Sequence, residues 1–182
     1  MLFRSHPRRA GASAGLEGSA QGGVVEGGDA DVAQALMGSA QVRLFHDHML
    51  VKEPGTRQPT PWHQDQPYYN VEGRQNVSMW MPLDAVPRES TLEFVAGSHL
   101  GPWLMPRTFR DEQAKWFPEG TLGELPRIED DRDAYPILGW DLEPGDAVWF
   151  HMLTLHGAAG TKSMRRQRDT TVSGSISASA VT

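Results

Sequence analysis

Apolar and polar residues begin to alternate at Gln41. Val42, Leu44 and His46 interleave with Arg43, Phe45 and Asp47, and Met49-Leu50-Val51 continues the run. Successive strand side chains point to opposite faces, so this pattern predicts a strand. Lys52-Glu53-Pro54-Gly55 breaks it, and a loop through Pro59 and Pro61 delivers Trp62-His63-Gln64-Asp65. Asn76 to Met81 reads as a second strand closed by Pro82, and Thr91 to Val95 as a third running into Gly97-Ser98-His99. Strand texture returns at Tyr135 to Leu138. Glu143-Pro144-Gly145-Asp146 places Pro and Gly as a type II turn requires, and Ala147 to Leu155 then predicts a buried strand. Between these elements, Arg110 to Phe117 is built from helix formers and opens a polar stretch reaching Asp133. It predicts a helical insertion lying over the strands as a lid.

Short strands at roughly ten-residue spacing, separated by Pro/Gly turns, favour a barrel or sandwich. The ends have a different texture. Residues 11 to 30 are mostly Gly, Ala and Ser, which bury too little surface to offset their ordering entropy, so 1–30 is expected to be a disordered leader. Asp31 to Met37 has room for one or two helical turns. The folded domain is expected over 31–169. A polar tail follows at 170–182, where Val172, Gly174, Ile176, Ala178 and Ala180 alternate as a weak edge strand would.

Hydrophobic residues make up 38% of the 182 and charged residues 22%, values typical of a folded domain. No apolar run approaches the eighteen or so residues of a membrane helix. A net charge of −6 argues against nucleic acid as the main partner, because neutralising phosphates takes a basic face. Arg4, Arg8 and Arg9 near the start lack the apolar stretch of a secretory signal, so the default location is the cytoplasm. The absence of cysteine excludes disulfides and thiolate metal sites, so any metal must be held by His, Asp or Glu. The sequence carries no signal for an oligomeric state.

One such set stands out. Strand positions i and i+2 share a face, so His63 and Asp65 converge on one point. His156, on a strand across a barrel, completes a two-His, one-carboxylate facial triad of the kind found in non-haem Fe(II) oxygenases. Other histidines have plainer readings. His46 and His48 suit core or supporting hydrogen bonds, His99 closes a turn, and His151 is structural, on the face opposite His156. Tyr68 and Tyr69 follow the ligand pair into a loop and suit either core or pocket. The run Glu129-Asp130-Asp131 is a solvated loop.

The company these residues keep is more specific. Trp62-His63-Gln64-Asp65-Gln66-Pro67-Tyr68-Tyr69, Trp80-Met81-Pro82-Leu83-Asp84, Leu92 to His99, Pro144 to Phe150 and Leu155-His156-Gly157-Ala158 occur in that order. This series resembles the phytanoyl-CoA dioxygenase family over roughly Gln41 to Arg168. The resemblance implies a mainly β, double-stranded β-helix fold (jelly roll, cupin-like). It also implies iron held by His63, Asp65 and His156, with 2-oxoglutarate and O2 consumed as a small molecule is hydroxylated and succinate and CO2 are released. Met49 and Trp80 match positions lining the 2-oxoglutarate pocket. An arginine after the distal His should pair with the far carboxylate of 2-oxoglutarate through its planar fork. Arg165, Arg166 and Arg168 are the candidates, with Arg166 and Arg168 favoured, while Gln167 stands where the family pattern has arginine. The leader and tail also depart from that pattern. Two alternatives share the ligand set: a cupin-like metal isomerase or hydrolase, and an inactive metal-binding remnant.

Overall fold

The computed structural model describes residues 2–5, 28–53, 58–159 and 167–175, with the side chains of 3–5, 48 and 167–175 outside that description. Nine strands form two antiparallel sheets in the described residues. The larger has the order β1 (Leu2–Ser5), β7 (Ala147–Phe150), β4 (Asn76–Pro82), β9 (Gln167–Ser175), β2 (Arg43–Lys52). The smaller runs β3 (Thr60–His63), β8 (His156–Ala158), β5 (Leu92–Val95), β6 (Ile137–Leu138). The sequence-distant neighbours in each sheet are those of a double-stranded β-helix.

Strand β4 shows how the layers are built. Val77 and Met79 join Ala147 and Trp149 on one face, and Ala33 and Met37 of the helix α1 (Gly28–Met37) cover them. Ser78 and Trp80 point the other way, where Trp80 packs with Phe94, Val148 and Phe150 between the sheets. With both faces covered, β4 is buried almost throughout, which is why NVSMWM reads as a continuous apolar run more than an alternation. Helix α1 buries Ala30, Ala33 and Met37, one face of a 3.6-residue period, and carries Asp29 and Asp31 in its first turn where the helix dipole favours acids. Gly38, at φ 62°, ends it, because that left-handed conformation costs a side chain that glycine lacks.

Several expectations need correction. Arg110 to Phe117 is not helical: the insertion between β5 and β6 is a chain of turns and bridges, with short 3-10 turns at Ile128–Asp130 and Arg132–Ala134. Lys115 N–H donates to Pro106 O and Thr108 N–H to Gln113 O, so this backbone pairs across a hairpin-like loop. Glu112 and Trp116 sit at positive φ, 55° and 68°. Helix propensity loses here because the segment has no apolar stripe to bury, and short helices gain their stability from packing. Instead, Leu104, Leu125 and Ile128 fasten the insertion to Trp62, Val95 and Leu155 on the outer side of the smaller sheet.

The run AVWFHMLTL is not one strand either. β7 stops at Phe150, His151 to Leu155 turn, and β8 starts at His156. The turn is fully buried, so its apolar composition disguised it as strand. Leu2–Ser5 of the expected leader pairs with β7, Gly28–Ala30 belong to α1, and the stretch between lies outside the described residues. The part of the tail within the described residues, 170–175, is no edge strand: it belongs to β9, which lies between β4 and β2 and pairs with both, while 176–182 lie outside the described residues. The type II turn is present, with Asp146 N–H donating to Glu143 O and Gly145 at φ 98°.

Candidate metal centre

β3 and β8 are neighbours, and His63 lies directly opposite His156. Asp65 arrives by a different route from the one strand alternation suggests. β3 ends at His63, and Asp65 sits in a right-handed helical conformation as the cap of the 3-10 turn Gln66–Tyr68. That curl swings the carboxylate back between the two imidazoles. Asp65 Oδ1 lies 3.5 Å from His63 Nε2 and 3.4 Å from His156 Nε2. The three donor atoms all fall within 4.8 Å of one another.

The remaining polar atom of each ligand is already committed. His63 Nδ1 meets the carbonyl of Pro61 at 2.8 Å, and His156 Nδ1 meets that of Thr154 at 2.9 Å. A carbonyl only accepts, so both Nδ1 atoms carry the proton and each Nε2 is the atom free to bind a cation. Ser78 Oγ donates to Asp65 Oδ2 at 3.0 Å, which leaves Oδ1 facing the histidines. This donor chemistry fits a divalent transition metal.

Charge inside the metal-free site follows from burial. Burial alone raises the Asp65 carboxyl, but the charge of His156 and hydrogen bonds from His156 and His63 outweigh it and hold it far below the usual carboxylate range. His156 is opposed by burial, yet Asp65 holds its pKa above the ordinary value. His63 is pushed down, by burial first and then by His156. Without a cation, a proton on the site is therefore favoured at His156 beside Asp65 and disfavoured at His63. Aromatic side chains surround it: Phe94 stacks on His156 at 5.9 Å, Phe150 lies 4.8 Å from it, and Phe109 lies 4.8 Å from His63.

The buried turn before His156 explains residues that the sequence did not single out. Backbone groups buried there need partners. Asn76 Oδ1 accepts from Met152 N–H, His151 Nδ1 from Leu153 N–H, and Ser98 Oγ from Leu155 N–H. Gln64, between two ligands, donates to the carbonyls of Leu153 and Pro102 and accepts from Leu104 N–H. One amide thus ties β3, the turn and the root of the insertion together. Only its place inside His-x-Asp offered a sequence signal. Gly157 has a steric reason: a Cβ there would meet Thr60 O at 3.0 Å and Trp62 N at 3.2 Å, so only glycine lets β3 and β8 approach.

The other candidates fall in different places. Trp80 is buried on the inward face shared with Ser78. Met49 is 63% exposed, and its β9 partner Thr170 also pairs with Met81, a residue of the outward face beneath α1, so the structure does not bring Met49 to the triad. β9 begins with Gln167 opposite Lys52, followed by Arg168 opposite Val51, while Arg165 and Arg166 lie outside the described residues. His46 packs on Tyr69 at 5.4 Å. His151 also reaches Arg74 O with Nε2, and burial pushes its pKa down to about 4, as suits a structural neutral histidine. The Tyr68 hydroxyl is held by both the carbonyl and the N–H of Arg107. No helix among the described residues is long and apolar enough to cross a membrane.

A two-His, one-carboxylate centre between the sheets of a double-stranded β-helix defines the class as that of mononuclear non-haem metal proteins. Within that class the chain belongs to the phytanoyl-CoA dioxygenase (PhyH) family, whose model matches residues 27–168. A Caenorhabditis elegans protein named as a probable phytanoyl-CoA dioxygenase is 28% identical over 144 residues, 75% of this chain and 44% of that protein. The crystal structure of EvdO2 from Micromonospora carbonacea var. aurantiaca, complexed with 2-oxoglutarate, is 26% identical with a TM-score of 0.65. The match covers 85% of this chain and 61% of EvdO2. The epimerase SnoN, crystallised with Fe3+, alpha ketoglutarate and nogalamycin RO, is 26% identical with a TM-score of 0.60, covering 81% and 54%. The chain therefore spans less than two thirds of each of these relatives.

Proposed function

We propose that this chain is an Fe(II)- and 2-oxoglutarate-dependent oxygenase that hydroxylates a small organic molecule, with His63, Asp65 and His156 as iron ligands. The observation that carries this reading is the convergence of two imidazole Nε2 atoms on one carboxylate oxygen, with both Nδ1 atoms and Oδ2 engaged elsewhere. Two neutral imidazoles and one carboxylate leave a divalent ion with net positive charge, which favours an anionic chelating co-substrate. In the overall reaction 2-oxoglutarate and O2 give succinate and CO2, one oxygen atom enters the substrate as hydroxyl, and bound iron supplies the activation of O2.

The protein's own share is placement. Pro61 and Thr154 carbonyls fix the imidazole orientations and Ser78 fixes the carboxylate, so the ligand set is built before a cation arrives. Phe94 and Phe150 exclude water behind His156. We assign Trp80 to the wall of the co-substrate pocket and Arg166 to the far carboxylate of 2-oxoglutarate, where a guanidinium makes two parallel hydrogen bonds. Arg168 is two strand positions from Thr170, whose partner Met81 belongs to the outward face, and is not assigned. The test is iron-dependent release of succinate from 2-oxoglutarate. The wild-type chain should show it and His63→Ala should not; iron-dependent succinate from His63→Ala refutes the ligand assignment.

A further inference from the structure

A groove of about 830 Å³ opens between the smaller sheet and the insertion, beside the triad but outside it. Tyr68 and Phe109 line it, and their rings lie 5.9 and 4.8 Å from that of His63, so the groove reaches to within one side chain of the metal centre. Trp62, the neighbour of His63 in the chain, lines it as well. The polar atoms of these aromatics are already used. The Trp62 indole N–H donates to Glu129 at 2.8 Å, and the Tyr68 hydroxyl is held by the Arg107 backbone. What they offer an occupant is flat apolar surface.

The charged groups around the groove are largely spent too. Arg132 binds both oxygens of Glu93 and also Glu129, while Arg107 binds Glu119 and Glu124. Two guanidiniums are thus neutralised in place. The five acids lining the groove outnumber its three arginines, and with the Lys115 ammonium 5.4 Å from the Tyr68 ring centre the residual field is weakly acidic. Phosphate recognition relies on unspent guanidiniums, ammoniums or helix N-termini, and this groove supplies little of any.

Resting on the oxygenase reading above, we propose that this groove holds the prime substrate beside the metal, and that the substrate is an uncharged or cationic molecule with a flat apolar face. A phosphate-bearing acyl-CoA thioester, which the family name suggests, is a poor match for it.

The test uses the whole chain and three ring-matched indole probes, tryptophol (neutral), tryptamine (cationic) and indole-3-propionate (anionic), together with free coenzyme A as a phosphate-bearing anion. Their affinities are measured by ligand-observed NMR with Zn(II) at the triad, then with Mn(II) to read proximity from enhanced relaxation. Tryptophol and tryptamine should bind, and the two anions should bind at least about tenfold more weakly. Bound tryptophol should relax faster with Mn(II), and Ala159→Trp, which plugs the groove from an exposed lining position, should abolish binding. Reversing charge with Glu112→Lys and Asp130→Lys should narrow the gap between neutral and anionic probes. Equal or tighter binding of the anions, no binding by any probe, or no effect of Ala159→Trp or Mn(II) overturns the proposal. Fe(II) and 2-oxoglutarate binding by metal-free aliquots of the same preparation separates the two readings. If that complex forms and the charge order fails, only the groove assignment falls; if no such complex forms, the oxygenase reading falls whatever the probes do.

Discussion

Ser78 is the most informative residue to change, because it touches the site without being a ligand. It is fully buried on β4, and its hydroxyl donates to Asp65 Oδ2 at 3.0 Å. Ser78→Ala removes that donor, leaving a buried carboxylate oxygen unpaired and Asp65 freer to rotate. A hydrogen bond to a charged group contributes about 1.5–3 kcal/mol, equivalent to roughly 10- to 100-fold in binding. Loss of an outer-shell partner in metal proteins costs about 10- to 100-fold in metal affinity, the same range by an independent route. The expected result is therefore weaker Fe(II) binding by about that factor, read anaerobically by competition with a chromophoric chelator. Ser78→Thr, which keeps the hydroxyl, should recover most of the affinity if the extra methyl is accommodated. Thermal unfolding of the metal-free variants separates a folding defect from a site defect. If folded Ser78→Ala binds Fe(II) within about twofold of wild type, the positioning argument is wrong.

Three further outcomes follow from the geometry. Gln64→Leu keeps the volume but orphans the buried Leu153 carbonyl and the partly buried Pro102 carbonyl and Leu104 N–H, a buried group costing about 1–3 kcal/mol and the others less, so thermal melting should fall by roughly 6–12 °C for a net loss near 3 kcal/mol. Unchanged melting would mean that water replaces the amide. Gly157→Ala forces a Cβ against the β3 backbone and should destabilise by about 1–3 kcal/mol in denaturant unfolding, with a wild-type-like midpoint as the contrary result. The third concerns pH. Asp65 holds the His156 pKa above 6.5, so the stability it gives the metal-free protein is fully present below 6.5 and lost as pH rises through the raised value. His63, His99 and His151, whose pKa values are lowered, add stability as pH rises until the unfolded imidazoles are neutral, about one unit above 6.5, so the trend is read above that point. Over that same window metal affinity should rise, because the His156 proton must leave first; calorimetry in which both rise together would contradict the assigned ion pair.

How much of this was legible from sequence depends on how local the determinant is. The strands at Arg43–Lys52, Asn76–Pro82 and Leu92–Val95 were legible because apolar patterning and turn residues mark them within the segment. His63, Asp65 and His156 were legible because short motifs in fixed order surround them. The reason given for their convergence was incomplete, since Asp65 is brought in by a 3-10 turn rather than by strand alternation. What the sequence hid depends on distant partners. Ser78, Asn76 and Gln64 look like ordinary polar residues until the buried turn and carboxylate they satisfy are in place. The turn at His151–Leu155 looked like strand because burial demands apolar residues whatever the backbone does. The insertion looked helical by propensity, yet Arg107 and its glutamates pin it in another shape. β9 looked peripheral because its residues are small and polar, and only pairing on both sides gives it an interior place.

The central claim is that this triad holds iron able to chelate 2-oxoglutarate. The most direct measurement is anaerobic titration of the Fe(II)-loaded chain with 2-oxoglutarate, following the weak visible charge-transfer band of the chelate. The account predicts a saturable band that is absent in Asp65→Ala. Iron binding without any band, or a band that survives Asp65→Ala, would contradict it.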